Sequence, residues 1–337
     1  MSSIPNVMDI DKDIFVNFYQ QDSDTLYQSM LLESAAHHQV IDIQSCQNQP
    51  SYWPFVRHRT SDKMAVIIDP RFDDLMCAVI YNFMYHMSPK GWNLLIVSHP
   101  SFEDIARSLY PYGMFYAIDE KMIYYKDNEP NINAESYNRI MFNIKFWEMI
   151  PAENIAIFQK DCVMYKMFED IFLEYDYAGA NYYSSTNATF FHGGINGGFS
   201  LRKKSVMIDC LKNVNLDMIN NYVSKMCVSL NKTPFAYSAN ICEDVYFTWA
   251  CEILNKNVPD LIHRNRLAIE CECGTYYFPS ISYLPSVYHG WNKKYHDKRQ
   301  ALIFLAQSPY FLPCVLKFLE QQKIEKINKI VYNSIAD

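Results

Sequence analysis

Residues 64–71 read Met-Ala-Val-Ile-Ile-Asp-Pro-Arg, a continuous apolar run that stops at an acidic residue and a proline. A strand buried on both faces, as in a parallel sheet, has this uninterrupted pattern. After this run, predicted helices alternate along the chain with further apolar strands. We predict helices at 73–87, 101–109 and 133–149, and strands at 92–98, 114–118 and 155–158. This alternation predicts an α/β fold with a mostly parallel sheet and right-handed crossovers.

Polar residues follow two of these strands. Asp69 and Arg71 come after the first strand, and Gln159, Lys160 and Asp161 come after the fourth. Ligands of parallel sheets bind outside the carboxyl ends of the strands. A carboxylate there can hold a divalent cation, which in turn holds a diphosphate. Many strands nevertheless end in Asp only because a turn begins there.

Four of the nine glycines lie in residues 193–202, which read Gly-Gly-Ile-Asn-Gly-Gly-Phe-Ser-Leu-Arg. Glycine lets another group approach the backbone closely. We interpret this stretch as a loop that clears space for a ligand and then enters a strand; a flexible turn is equally consistent with it. The stretch lacks both the Gly-Lys-Ser/Thr ending of a phosphate-binding loop and the spacing of a dinucleotide fingerprint.

Two later positions carry candidate chemistry. Glu243 and Asp244 precede a predicted helix at 245–254. Carboxylates there either cap the helix and offset its dipole, or one of them acts as a general base. His289, beside Gly290, is a candidate metal ligand or phosphate donor, and equally a structural histidine.

Composition limits the class of protein. The 337 residues carry a net charge of −7, so the basic footprint of a nucleic-acid-binding protein is missing. No apolar run is long enough to span a membrane, and the N-terminus lacks the apolar core of a signal peptide. The 10 cysteines are scattered in apolar settings, which is typical of a reducing compartment. We therefore expect a cytoplasmic protein that has no membrane span.

The chain divides into three predicted parts. Residues 1–60 form an N-terminal helical appendage, residues 61–300 the α/β domain, and residues 301–337 a C-terminal helical tail. Either set of terminal helices could support a homodimer. The polar stretch 182–189 is a candidate mobile lid.

Several stretches, taken in order over about residues 63–295, resemble the DUF5672 family of predicted GT-A glycosyltransferases. No single motif is decisive, but the ordered set is specific. The matching stretches are 65–71, 137–147, 157–161, 172–180, 196–202, 243–247 and 289–291. The resemblance implies a GT-A-like fold, in which a Rossmann-like nucleotide-binding half with a mostly parallel sheet joins a mixed acceptor-side half.

The resemblance also implies a donor site. Its residues would be Asp69, Arg71, Gln159, Lys160, Asp161, Asn196, Gly197, Gly198 and Arg202. Asp161 would take the place of the metal- and diphosphate-binding aspartate, and His289 would contact the metal or the diphosphate. Gln159 stands where the family pattern has its first acidic residue. With a single carboxylate, Mn²⁺ or Mg²⁺ would bind less tightly, and Lys160 could offset diphosphate charge instead.

For catalysis, the resemblance implies that Asp244 is the base and that Glu243 positions acceptor or sugar hydroxyls. The expected reaction moves a sugar, with inversion, from a UDP-sugar to a hydroxyl of a glycan, protein or small molecule. A nucleotidyltransferase and a non-catalytic sugar- or protein-binding module remain alternatives. The Tyr-, Asn- and Ile-rich composition also resembles that of giant-virus or protist proteins, which for a viral protein implies the host cytoplasm or the virion.

Overall fold

The computed structural model describes residues 23–37, 57–182, 194–270, 285–290, 305, 308, 310–317 and 320–321. The predicted lid lies outside these described residues beyond Tyr182, as does most of the predicted C-terminal tail. Within the described ranges, no helix is both long enough and apolar enough to cross a bilayer.

The central feature is a six-stranded sheet with the strand order β3-β2-β1-β6-β9-β8. Strands β1, β2, β3 and β6 run parallel to one another, whereas β9 is antiparallel to both of its neighbours. The expected α/β, GT-A-like class, with a mostly parallel half and a mixed half, is confirmed by this order. The described strands are β1 Lys63–Ile68, β2 Asn93–Ser98, β3 Met114–Ala117, β4 Tyr124–Lys126, β5 Glu129–Asn131, β6 Asn154–Phe158, β7 Cys162–Met164, β8 Tyr177–Tyr182, β9 Gly194–Lys203, β10 Ala268–Glu270 and β11 Val287–His289.

Helices cover both faces of this sheet. The described helices are α1 Ser23–His37, α2 Asp74–Met87, α3 Glu103–Leu109, α4 Ala134–Met141, α5 Ile144–Met149, α6 Lys204–Asn213, α7 Leu216–Ser229, α8 Glu243–Ile253 and α9 Leu261–Leu267. The single helix predicted at 133–149 is wrong, because the chain forms α4 and α5 instead. The Asn143 side chain accepts a hydrogen bond from the backbone N–H of Lys145 at 3.1 Å, and so caps a new helix where the pattern predicts continuation.

The glycine-rich stretch also differs from its prediction. It is not a loop that leads into a strand: residues 194–203 all belong to β9, and almost all are buried. On β8, Gly179 pairs with Ser200 and the next residue, Ala180, pairs with Asn196. Residues 197–199 therefore form a bulge on this side of β9. Bulges commonly re-aim the backbone next to functional sites.

The core has one apolar layer on each face of the sheet. Alternation along β1 shows this directly, because Ala65 and Ile67 belong to one layer while Val66 belongs to the other. The first layer also contains Met30 of α1 and Leu305 from the C-terminal region. Both terminal regions thus contribute to the main core. The domain boundaries at residues 60 and 300, and the homodimer, stay predictions.

Candidate active site

Sheet topology gathers the candidate residues at one edge. Strands β1 and β6 are parallel, so Asp69 and Gln159 follow them at the same edge. Strand β9 runs in the opposite direction and therefore begins at that edge, with Phe199 opposite Phe158. The backbone N–H of Gln159 donates to the carbonyl of Gly198 at 2.9 Å. The bulge of β9 thus lies directly beside the end of β6.

Helix α8 is attached to the same bulge by its first turns. The backbone N–H of Gly197 donates to Oδ2 of Asp244 at 3.2 Å. One turn further along α8, the hydroxyl oxygen of Thr248 accepts from the backbone N–H of Ile195 at 3.1 Å. On the other side, the side-chain oxygen of Asn138 in α4 accepts from the backbone N–H of Glu243 at 3.1 Å. These contacts fix where α8 begins.

A single cleft of about 670 Å³ opens at this edge. It joins Asp161 and Asp244, which are far apart in sequence. Every predicted site residue except Arg202 lines the cleft. Its lining comprises Gln28, Ile68, Asp69, Arg71, Leu75, Ile132, Asn133, Ala134, Tyr137, Asn138, Gln159, Lys160, Asp161, Asn196, Gly197, Gly198, Cys242, Glu243, Asp244, Val245 and His289.

Asp244 is the half-buried carboxylate of this cleft. Besides its contact with Gly197, its Oδ1 atom accepts from the backbone N–H of Val245 at 2.8 Å. Burial and the neighbouring charge of Glu243 raise the pKa of Asp244 to about 6, against the smaller opposing effect of the two backbone donors and of Arg202. A carboxylate with such a pKa is ionised at neutral pH and accepts a proton more readily than an ordinary Asp does.

Arg202 occupies a different place from the one predicted. Its side chain is fully buried beneath the cleft, so it does not meet a ligand there. Its guanidinium donates to both carboxylate oxygens of Glu243, at 2.7 and 3.0 Å. Since both oxygens of Glu243 are engaged in this way, its carboxylate holds Arg202 rather than pointing freely at an acceptor.

Gly197 separates this ion pair from Asp244, and only glycine fits. A Cβ atom at this position would lie 2.2 Å from Oε1 of Glu243, 3.0 Å from Nη2 of Arg202 and 3.2 Å from the Cβ of Asp244. The first of these distances is far below van der Waals contact. The close backbone approach predicted for the glycine-rich stretch therefore occurs here, although it serves protein packing.

A second cluster forms where β7 meets β11. These strands are antiparallel and place His289 opposite Cys162. Nε2 of His289 lies 3.5 Å from Oδ1 of Asp161, and ligand atoms of Asp161, Cys162 and His289 all lie within 4.8 Å of one another. The backbone N–H of Gly290 donates to the carbonyl of Asp161 at 2.9 Å, which holds the two segments together.

The donor set of this cluster is mixed: the Asp161 carboxylate suits Mg²⁺ or Mn²⁺, whereas the His289 imidazole favours a transition metal such as Mn²⁺ over Mg²⁺. Cys162 is fully buried and its thiol donates to the carbonyl of Gly198 at 3.2 Å, which directs the sulfur to the backbone. Among the described residues, Asp161 and His289 are then the groups of this cluster best placed to ligate a cation. Mg²⁺ and Mn²⁺ are commonly held by few protein ligands, with waters and substrate phosphates completing their coordination.

Cationic side chains lie at the mouth of the cleft, and each is paired with an aspartate. Arg71 donates through Nε and Nη2 to Asp69, at 2.9 and 2.7 Å. Lys160 pairs with Asp73, whose other oxygen caps α2 by accepting from the backbone N–H of Met76. These pairings hold Arg71 and Lys160 in defined positions. They also reduce the net positive charge that a bound anion would experience.

Sequence reasoning assigned no site role to several lining residues. Tyr137 and Asn138 belong to a stretch that carries the family resemblance, and that stretch was the signal that could have identified them. Gln28 of α1 also lines the cleft, although the N-terminal region was assigned no chemistry. Cys162 is among the cysteines in apolar settings, and its sequence context gives no sign of a site, because only the pairing of β7 with β11 brings it next to His289.

The chain belongs to the DUF5672 family. The family model, described as "Protein of unknown function (DUF5672)", matches residues 121–289, half of the chain. That segment contains most of the cleft residues, among them Tyr137, Asp161, Gly198, Asp244 and His289. Among curated proteins, none matches this sequence significantly.

Solved structures with a similar fold are distant in sequence. Mouse xyloside xylosyltransferase 1 in its apo form is 12% identical, with a TM-score of 0.42, and the match covers 71% of this chain and 100% of that one. The galactosyltransferase LgtC, solved with donor and acceptor sugar analogues, is 9% identical with a TM-score of 0.41, covering 67% and 86%. Apo GlyE of Streptococcus pneumoniae TIGR4 is 12% identical with a TM-score of 0.39, covering 78% and 64%.

Proposed function

We propose that this protein is a glycosyltransferase that moves a sugar, with inversion, from a UDP-sugar to a hydroxyl of a glycan, protein or small molecule. The observation that carries the proposal is the composition of one cleft. A carboxylate with a raised pKa, Asp244, lines the same cleft as the Asp161–His289 cluster. The first provides a base, and the second provides a place for a divalent cation and the diphosphate.

The size and lining of the cleft support a polar ligand of this kind. A volume of about 670 Å³ lies in the usual range for small-molecule sites. The lining combines carboxylates, amides and cationic groups with aliphatic side chains such as Ile68, Leu75 and Ile132. Hydroxyl-rich and phosphate-containing molecules match such a lining, because each buried polar group needs a hydrogen-bonding partner.

In the proposed reaction, a carboxylate oxygen of Asp244 accepts the proton of the acceptor hydroxyl. The acceptor oxygen forms a bond to the anomeric carbon as the bond from that carbon to the diphosphate oxygen breaks. The electron pair of the broken bond leaves with the nucleoside diphosphate. Two backbone donors hold the Asp244 carboxylate in one orientation, and such orientation lowers the barrier by avoiding reorganisation during the reaction.

Asp161 and His289 would hold Mn²⁺ or Mg²⁺, which when bound would neutralise charge on the diphosphate. Other residues of the cleft would bind the donor without a metal. Lys160 lies beside Asp161 and presents an ammonium group near the same end of the cleft. Asp69 and Arg71 lie at the end of β1, where we assign them to the nucleoside or the phosphates.

The experiment that tests this function is a thermal-shift screen of nucleotide sugars with Mn²⁺, followed by assays of sugar transfer and donor hydrolysis. A ligand at 100 times its Kd stabilises the folded protein by about 2.7 kcal/mol, which such a screen detects. We expect UDP-sugars to stabilise the wild type and D244N equally, and the transfer rate to fall at least about 100-fold in D244N. The variant D217N, which changes an exposed Asp in α7, is the matched control.

Two results would overturn the proposal, and a third would overturn the role of Asp244 within it. Release of pyrophosphate from a nucleoside triphosphate and a sugar phosphate would identify nucleotidyl transfer instead. Stabilisation by no nucleotide or nucleotide sugar, with or without Mn²⁺, would identify a non-catalytic module. Wild-type transfer by D244N with unchanged donor affinity would disprove the assignment of the base.

A further inference from the structure

We infer that Arg202 is a positioning residue for Asp244. Arg202 binds Glu243 and packs beside the bulge of β9, and these contacts fix the first turn of α8. The position of that turn determines the orientation of the Asp244 carboxylate in the cleft. This inference rests on the proposed function for its effect on rate, but its structural part can be tested independently. It replaces the expectation that Arg202 binds the donor.

The first support is the burial and geometry of the pair. Arg202 is 1% exposed and Glu243 is 4% exposed. Two parallel hydrogen bonds of 2.7 and 3.0 Å join the guanidinium to the carboxylate, and this bidentate arrangement fixes direction as well as distance. Glu243 is the first residue of α8 and precedes Asp244, so an orientation imposed on Glu243 is passed to its neighbour.

The second support is that three aromatic rings and a serine hydroxyl hold the Arg202 guanidinium in place. Its guanidinium carbon lies 4.9 Å from the ring centre of Tyr177, 5.4 Å from that of Phe247 and 5.8 Å from that of Trp147. Its Nε atom donates to the hydroxyl of Ser200 at 2.9 Å. Cation–π contacts of this kind strengthen when they are removed from water. The guanidinium is therefore a rigid point to which the start of α8 is attached.

The third support is the close contact between the pair and the bulge. Gly197 lies over the Arg202–Glu243 pair, with no room for a Cβ atom, and its N–H donates to Asp244. Arg202 and Gly197 belong to the same strand, β9, whereas Glu243 and Asp244 belong to α8. Two residues of β9, close in space, thus hold two consecutive residues of the helix: Arg202 holds Glu243, and Gly197 holds Asp244.

Stability alone does not account for this arrangement. Removing an ion pair from water costs about as much as the pair regains, and well-packed apolar side chains of similar volume are often at least as stabilising. A bidentate ion pair fixes the orientation of its two side chains, whereas an apolar pair does not. Substitution of both partners by apolar residues therefore separates a role in stability from a role in orienting Asp244.

The test compares R202M, R202K and R202M/E243M with wild type. R107M is the matched control, because Arg107 donates to Glu103 through an exposed ion pair within α3. For each protein we would measure thermal stability, UDP binding with Mn²⁺, and kcat and KM for transfer. The carboxyl signal of Asp244 would also be followed by NMR against pH, after labelling aspartate with ¹³C and assigning the signal through D244N.

The charged and titratable groups that face Asp244 are Glu243, Arg202, Tyr137, Tyr177 and Cys242. Glu243 acts more strongly on Asp244 than Arg202 does. Loss of both charges should therefore lower the titration midpoint of Asp244.

We expect R202M to be less stable than wild type and R202M/E243M to regain that stability. A positioning role predicts that the double variant nevertheless has a kcat about 100-fold lower than wild type, with KM and UDP affinity within about twofold. In R202K, where the charge is kept, it also predicts a displaced NMR signal for Asp244. R202K should retain a folded protein and show an intermediate kcat, since lysine keeps the charge but loses the bidentate geometry.

The inference is overturned if R202K, which keeps the charge, retains both the wild-type NMR signal of Asp244 and the wild-type kcat, or if R202M/E243M retains the wild-type kcat. If the wild type transfers no sugar, the proposed function fails by itself. The NMR comparison of R202K with wild type then still decides whether Arg202 orients Asp244, so the two failures are distinguishable.

Discussion

Nε2 of His289 lies 3.5 Å from Oδ1 of Asp161, although one residue ends β11 and the other precedes β7. Antiparallel pairing of these two short strands creates the contact. Gly198 of β9 packs against the His289 ring from the neighbouring strand. A Cβ atom at Gly198 would lie 2.1 Å from Nε2 of His289. The histidine ring therefore occupies space that only a glycine in β9 leaves open.

This packing makes G198A a sharp probe of the site. The added methyl group must displace the His289 ring, and we expect a loss of about 1–3 kcal/mol in the free energy of unfolding. Chemical denaturation monitored by circular dichroism would measure it. In G198A/H289A, removal of the ring frees the space, so stability should recover in part. Equal instability of the single and double variants would show that the clash lies elsewhere.

The same cluster predicts metal binding that can be measured without any donor. We expect calorimetry with Mn²⁺ alone to show binding to the wild type, and at least about tenfold weaker binding to D161N and to H289A, because each loses one of two protein ligands. D217N should bind Mn²⁺ like the wild type. Equal affinities for D161N, H289A and wild type would contradict the assignment of these ligands.

The sheet half of the fold follows from sequence pattern because each buried parallel strand is a continuous apolar run. Residues 64–68 and 155–158 could therefore be assigned before any coordinates. The glycine-rich stretch could not, since its strand character depends on pairing with β6 and β8 rather than on its own composition. Local propensity in strands is readily overridden by such tertiary context.

Candidate site residues at strand ends were predictable for the same topological reason. Arg202 was not, because its position in β9 gives no indication of whether the side chain points to the cleft or to the core. A buried arginine is rare unless it is paired, and its partner Glu243 lies in a distant helix. Cys162 was equally inaccessible to sequence reasoning, since only the register of β7 with β11 reveals its neighbours.

Tyr137 offers a test of ligand contact that is independent of the base. It lines the cleft from α4, and its hydroxyl is buried beside Gln159 and near Glu243 and Asp244. Because this hydroxyl is buried, we expect Y137F to leave UDP-sugar affinity within about twofold of wild type, the ligand being contacted by the ring alone. Calorimetry would measure the affinity.

The matched control for this change is Y222F. The Tyr222 hydroxyl donates to Glu252 at 3.0 Å, away from the cleft lining, so its loss should leave donor affinity unchanged. Clearly weaker donor affinity for Y137F than for both Y222F and wild type would show that the hydroxyl reaches the ligand after all.

The raised pKa of Asp244 predicts a dependence of both rate and stability on pH. Transfer should increase as pH rises through about 6 and then level off, because the ionised carboxylate is the base. Stability should change in the opposite direction. The folded pKa exceeds the unfolded value near 3.8, so the unfolded chain releases this proton first. Folding therefore loses stability between about pH 4 and 6, and the loss persists at higher pH.

D244N removes this ionisation and separates the two effects. We expect the variant to gain up to about 3 kcal/mol in the free energy of unfolding at pH 7.5, relative to wild type, and to gain little at pH 4. Urea denaturation at both pH values would measure this difference, with D217N as the control that shows no such change. A gain of the same size at both pH values would refute the raised pKa. The carboxylate proposed to drive the reaction would then titrate as an ordinary aspartate.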